Sequence, residues 1–92
     1  MLPLITFTAS PRLSLEDLNT VIGQQEEFLQ APLVTVGNNG DQTLLTFDQT
    51  SDLPGKHARI ITGDPPANIK PLAWGKVFIA GELKDVVALR EG

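Results

Sequence analysis

The spacing of apolar residues predicts one amphipathic helix, at residues 15–30, among short β-strands. Apolar residues recur there at helical spacing and polar residues are expected to face outward. The apolar set is Leu15, Leu18, Val21, Ile22, Phe28 and Leu29; the outward set is Glu16, Asn19, Gln24, Glu26 and Glu27. Ser14 is a good N-cap, and Pro32 ends the helix because the residue before a proline avoids the α region. Gly23 indicates either a surface position or close approach of a neighbouring backbone.

Alternating and β-branched segments on both sides of this helix predict strands. Residues 4–8 alternate, with Ile5 and Phe7 expected on one face and Thr6 and Thr8 on the other. Residues 33–36 and 42–47 flank the Gly- and Asn-rich segment 37–41, which is typical of a hairpin turn and lacks the following Lys or the carboxylates of a phosphate or calcium loop. Residues 58–62 predict another short strand.

The most apolar and β-branched part of the chain is residues 77–89. Residues 76–80 predict a strand, and Gly81-Glu82 a tight turn. Residues 83–90 fit either a second strand or a helix capped by Gly92, and Val86-Val87 favours the strand. The pattern therefore predicts a single α+β domain over residues 1–92. In it, one roughly four-turn helix packs on a small, mixed or mainly antiparallel sheet.

Composition narrows the possible functions. The chain has 92 residues, no Cys, one His and a formal net charge of −4. Its seven basic residues are scattered singly, which argues against nucleic-acid binding. The apolar runs are too short to span a bilayer, and the first residues lack the features of a signal peptide. We therefore expect a protein that is made inside the cell and is not membrane-bound, and that is cytoplasmic unless it is built into a larger particle. Small domains without disulfides or metals often gain stability by oligomerising or docking.

The polar residues do not suggest catalysis. Asp48, Ser51 and His57 are close in sequence, but a hydrolytic triad is defined by geometry, and Ser51 lacks a nucleophile-elbow context. Carboxylate pairs are conceivable for Glu26 with Glu27, and for Asp64 or Glu82 with Glu91. Glu26 and Glu27 are neighbours on the predicted helix and point apart, so we expect these two to form a solvated face. We therefore predict no catalytic, cofactor-binding or metal-binding residues and no enzymatic activity.

Two features favour contact with a partner protein. The segment 63–71 is long and proline-rich for so small a domain, which fits either a crossover loop or a stiff arm that lies on a partner. Trp74 fits either a residue of the core or of a lid over it, or an interface anchor, since Trp is enriched at binding hot spots. The candidate partner-binding residues are Trp74, Pro65, Pro66, Ile69, Pro71 and Phe78.

The C-terminal sequence, Trp74-Gly75-Lys76-Val77-Phe78-Ile79-Ala80-Gly81-Glu82-Leu83 followed by Asp85-Val86-Val87-Ala88-Leu89-Arg90, resembles the strand–turn–strand ending of tailed-phage head decoration (capsid cement) proteins. The resemblance implies a non-enzymatic virion protein that clamps capsid subunits, including the major capsid protein, as a symmetric homo-oligomer. It assigns no residue-level site. The alternative is a small intracellular adaptor or regulatory module that binds a protein partner, for instance by adding a strand to an open sheet edge.

Overall fold

A computed structural model describes residues 3–91, so Met1, Leu2 and the proposed Gly92 cap lie outside the described residues. It contains one helix and six strands in the described part of the chain and confirms the α+β class. In chain order they are β1 (Leu4–Ala9), α1 (Leu15–Leu29), β2 (Leu33–Asn39), β3 (Gln42–Asp48), β4 (Arg59–Thr62), β5 (Pro71–Ile79) and β6 (Glu82–Leu89).

The strands form two antiparallel three-stranded sheets, with orders β1-β3-β2 and β4-β6-β5. The sheets approach each other along β2 and β5, where a side chain on Gly75 would come within 3.1 Å of the Val36 carbonyl oxygen. A Cβ at this position would be tighter than ordinary van der Waals contact, so the close approach favours glycine. Helix α1 packs against β4 and β3 and covers the shared core. The largest fully buried apolar side chains in this core are Phe47, Leu18, Ile22, Leu33, Leu45, Ile60 and Val77.

The predicted alternation in β1 is confirmed. Ile5, Phe7 and Ala9 pair with the core-facing residues of β3, whereas Thr6 and Thr8 are exposed on the opposite face. The 33–47 hairpin is also confirmed, although its strands extend further than predicted. Only Gly40 and Asp41 lie between the last paired residues, Asn39 and Gln42, and Gly40 takes the positive φ (64°) that this turn requires.

The C-terminal segment is a hairpin, and residues 83–90 continue as strand. Its turn is at Ala80-Gly81, one residue before the predicted position, because Ile79 pairs with Glu82. Both turn residues have positive φ, 54° for Ala80 and 85° for Gly81. Their N–H groups donate to the carbonyl oxygens of Leu13 and Pro11, which holds this unusual alanine conformation in place.

The predicted helix start is confirmed. The Ser14 hydroxyl accepts a hydrogen bond from the backbone N–H of Asp17 at 3.1 Å. The helix ends at Leu29, and Gln30 takes the left-handed conformation with φ of 51°. The neighbour of Gly23 is a side chain, since a Cβ there would lie 3.8 Å from the imidazole ring of His57. That separation is ordinary van der Waals contact, so no close backbone approach explains this glycine.

The predicted orientation of three helix residues is wrong. Phe28 was placed inward but is 80% exposed, while Glu26 is buried and Asn19 is half-buried. At 3.6 residues per turn, Phe28 lies about 120° around the helix from the buried Ile22, whereas Glu26 lies only about 40° away. Both inward polar side chains bind backbone groups. Asn19 donates to the carbonyl oxygen of Ile60 at 3.0 Å and accepts from its N–H at 2.6 Å.

Residues 63–70 form a crossover connection. Strands β4 and β5 both run antiparallel to β6 and are therefore parallel to each other, on opposite sides of β6. The chain leaves β4 beside Val86 and enters β5 beside Leu89, so it must return across one face of the sheet. The core fills the inner face, and the crossover therefore lies over the outer face.

Candidate protein-interaction site

The outer face of the β5–β6 hairpin carries exposed apolar side chains. Val77 and Ile79 of β5 point into the core, so alternation turns Trp74, Lys76 and Phe78 to the other face. Trp74 is 64% exposed, which rules out the interpretation that it is a core residue. Phe78 is half-buried and pairs across the strands with Leu83, which is 51% exposed.

An exposed ion pair lies between these apolar groups. Lys76 is opposite Asp85 in the register, with the ammonium nitrogen 3.7 Å from the carboxylate oxygen. Both side chains are more than half exposed, so the pair contributes at most a fraction of a kcal/mol. We call the surface formed by Trp74, Lys76, Phe78, Leu83 and Asp85 the outer patch. Exposed aromatic and apolar side chains beside a few charged groups are typical of protein-binding surfaces, in which the aromatic residues act as anchors.

The crossover borders the outer patch. Val87 and Leu89 face away from the core yet are fully buried, as expected if residues 63–70 lie over them. Pro65 and Ile69 are half-buried, and Pro66 is exposed. Gly63 and Asp64, at the start of the crossover, line an open depression of about 600 Å³ with Trp74. The crossover interpretation of this segment therefore matches the topology, and its exposed parts still lie beside the outer patch.

The predicted partner-binding residues divide between the outer patch and the crossover, which contains Pro65, Pro66 and Ile69 and begins beside Trp74. Trp74 and Phe78 belong to the outer patch, and Pro71, the first residue of β5, pairs with Leu89. The pattern of the sequence did not single out Leu83. The turn predicted at Gly81-Glu82 would have placed Asp85 opposite Phe78, whereas the observed turn at Ala80-Gly81 places Leu83 there.

A polar cluster around Glu26, separate from the outer patch, was not predicted from the sequence. One carboxylate oxygen accepts from the backbone N–H of Ala58 at 2.8 Å and lies 3.2 Å from the His57 Nδ1. The other accepts from the backbone N–H of Leu33 at 2.8 Å and from the guanidinium of Arg90. The Glu26 side chain is 4% exposed and that of Arg90 is 8% exposed. We call these two charged side chains with His57 the Glu26 cluster.

The Glu26 cluster ties the helix to both sheets. Leu33 begins β2, Ala58 precedes β4 and Arg90 follows β6, so one carboxylate on α1 holds the ends of three strands. Arg90 also donates to the carbonyl oxygen of Lys56, while its Nε is buried without a partner. All four contacts to Glu26 are with potential donors, which suits a fixed, ionised structural carboxylate.

The Asp48, Ser51 and His57 trio is not assembled. Ser51 and His57 line a depression of about 380 Å³ with Glu26 and Arg90, but Asp48 does not line it. The Asp48 carboxylate instead accepts from the Thr50 hydroxyl at 2.6 Å and from the Thr50 N–H at 2.9 Å. The hydroxyl hydrogen bond and then the N–H bond hold the pKa of Asp48 below its usual value.

The remaining carboxylates are dispersed. Glu91 pairs with Arg59 at 2.8 Å and Glu82 with Lys84 at 3.7 Å, while Asp64 lies beside Trp74. Neither depression described above contains two of His57, Asp64, Glu82 and Glu91. Within residues 3–91, no group of three or more His, Asp or Glu side chains is placed to hold a metal ion.

Comparison with known proteins identified no relative of this chain. No protein-family model, curated protein or solved structure matches the chain. Over the part of the chain that the structure describes, no helix has the length and apolar character needed to cross a membrane.

Proposed function

We propose that this protein is a non-catalytic structural component of a larger assembly and binds a partner protein through the outer patch. The observation that carries the proposal is the 64% exposure of Trp74, the only Trp of the chain, on the outer face of the β5–β6 hairpin. Trp is costly to leave in water and is enriched among residues that dominate binding energy. The fully buried Val87 lies opposite it in the register, which gives the ring a rigid support.

The shape of the outer patch supports docking to a protein. Trp74 and the Phe78–Leu83 pair lie on either side of the Lys76–Asp85 pair, along one face of a regular hairpin. Apolar anchors would supply the binding energy, and the two opposite charges would set the register with complementary charges on the partner. The adjoining 600 Å³ depression could receive a side chain of that partner.

The assembly we propose is a viral capsid, with capsid subunits as the partner. This step rests on the resemblance of the C-terminal hairpin to the endings of capsid decoration proteins. The face on which Trp74, Phe78 and Leu83 lie belongs to that same hairpin. A decoration protein needs a stable small fold and an exposed surface that fits the particle, and it needs no active site.

Density-gradient sedimentation of a lysate that contains the assembled particles tests the proposal. We expect the wild-type chain to migrate with the particles and the variants Trp74→Ala and Leu83→Ser to remain at the top of the gradient. Thr35→Ala is the matched control, because Thr35 is exposed on β2 of the other sheet. Circular dichroism spectra should show that every variant is folded.

Two outcomes would contradict the proposal. If the wild-type chain migrates in a soluble complex much smaller than a particle, and Trp74→Ala releases it, the protein is an adaptor rather than a decoration protein. If Trp74→Ala and Leu83→Ser bind as well as Thr35→Ala does, the outer patch is not the docking surface.

A further inference from the structure

One sheet edge of the described fold is uncovered. The outer edges of β2 and β5 face each other, and the Asn19 amide occupies the edge of β4 at Ile60. Strand β1 lies at the end of its sheet, and within residues 3–91 its backbone forms hydrogen bonds only with β3. The outward N–H and C=O groups of β1 are therefore available to another strand.

The usual protections against edge pairing are missing from β1. Proteins block exposed edges with charged side chains, internal prolines or β-bulges. The sequence of β1 is Leu-Ile-Thr-Phe-Thr-Ala, without charge or proline, and its register with β3 has no bulge. By contrast, the β2–β3 and β5–β6 pairs each contain a register shift. A regular, neutral edge suits pairing with a further strand.

A row of threonines indicates which strand fits. On the face of this sheet away from the core, Thr35 lies beside Thr46, and Thr46 lies beside Thr6. The hydroxyl oxygens of Thr46 and Thr6 are 3.5 Å apart. The row ends at the open edge, so the strand that continues it best presents another threonine at that position.

We propose that β1 pairs antiparallel with β1 of a second copy of this chain, about a two-fold axis at Thr6. A two-fold axis perpendicular to the sheet keeps both cores on the same side, and residues on one face then meet residues of the same face. Thr6 lies opposite its own copy and extends the threonine row through both sheets. On the core side, Ile5 lies opposite Phe7 of the second copy.

The pairing also explains two partly exposed apolar residues. Ile5 and Phe7 face the core but are only half-buried, because they lie at its open rim. In the dimer, Ile5 of each copy is covered by Phe7 of the other copy across the two-fold axis. The uncharged edge lets two chains of net charge −4 meet without placing like charges opposite each other. An interface of six residues per chain is small, so association should depend on concentration.

Cysteine cross-linking tests the register directly, because the chain contains no Cys. We expect Thr6→Cys to form a disulfide-linked dimer about tenfold faster or more than Thr8→Cys and Thr35→Cys, since a disulfide needs Cβ atoms within roughly 4.5 Å. Thr8 lies opposite Leu4 of the second copy, and Thr35 is two strands from the axis. Equal cross-linking rates for the three variants would overturn the proposal.

Sedimentation equilibrium gives a second measurement on the cysteine-free chain. We expect the wild-type chain and Thr35→Lys to dimerise as concentration rises, and Thr6→Lys to stay monomeric because two ammonium groups would meet on the axis. Wild-type protein that remains monomeric up to about 1 mM, or Thr6→Lys that dimerises as Thr35→Lys does, would contradict the pairing. The outer patch lies on the other sheet, so failure here leaves the proposed function intact, and the reverse also holds.

Discussion

Replacing Glu26 by Gln should remove a large part of the stability of this fold. The carboxylate has two oxygens, and each faces two potential donors. A glutamine amide offers one acceptor oxygen, so its NH₂ group must face two of these donors. It also leaves the buried Arg90 guanidinium without its counter-charge.

The magnitude follows from burial. Breaking a buried ion pair by removing one partner typically costs about 3–5 kcal/mol. A 92-residue domain has a total stability of about 5–14 kcal/mol, at roughly 0.05–0.15 kcal/mol per residue. We therefore expect Glu26→Gln to lose about 3 kcal/mol or more, which lowers the melting temperature by more than about 10 °C in a domain of this size.

Urea unfolding followed by circular dichroism measures this loss. Glu27→Gln is the matched control, because Glu27 is adjacent on the helix but exposed, and it should change stability by less than about 0.5 kcal/mol. The double variant Glu26→Met/Arg90→Met should lose less than the sum of its two single variants, since no charge is left buried alone. A loss for Glu26→Gln below about 1 kcal/mol, or an additive double variant, would refute the account of the Glu26 cluster.

Three further predictions concern local structure. Gly23→Ala should stabilise the protein by about 0.5–1 kcal/mol, because a Cβ fits against His57 at 3.8 Å and alanine favours a helix interior; thermal unfolding checks this, and a lower melting temperature would contradict it. Ala80→Gly should raise stability by up to about 1 kcal/mol by relieving the left-handed conformation at φ 54°, whereas a loss in urea unfolding would show that the turn is unstrained. Thr50→Val should raise the pKa of Asp48 towards 3.8, measured by NMR titration. The Thr50 hydroxyl stabilises the ionised Asp48 carboxylate, so this hydrogen bond contributes to the stability of the fold above pH about 3.8 and ceases to do so as pH falls through the lower pKa of the folded state. That contribution should be smaller in Thr50→Val, and an unchanged titration of Asp48 would contradict the prediction.

The helix and the two hairpins were predictable because their signals are local. Ser14 caps the helix that follows it, and Gly40 occupies a turn that favours glycine. The second hairpin turn was predicted one residue late, since Ala80 is an unfavourable residue at positive φ. Its position is fixed by hydrogen bonds to Pro11 and Leu13, which are distant in sequence and leave no local signal.

The site was predictable only in part, for a related reason. Trp74 and Phe78 were identified as partner-binding candidates. Whether Trp74 points inward, however, depends on which alternate residues of β5 face the core, and these are Val77 and Ile79. The burial of Glu26 was not predictable from helical spacing. It depends on Arg90, which is near only after the chain has folded.

The fluorescence of Trp74 tests the central claim most directly, because it is the only Trp in the chain. In the isolated protein, we predict strong quenching by iodide, as expected for a ring that is 64% exposed. In the purified assembly, we predict that the same quencher no longer reaches the ring and that the emission shifts to shorter wavelength. If Trp74 in the assembly stays as accessible to iodide as in the free chain, the outer patch does not bind the partner.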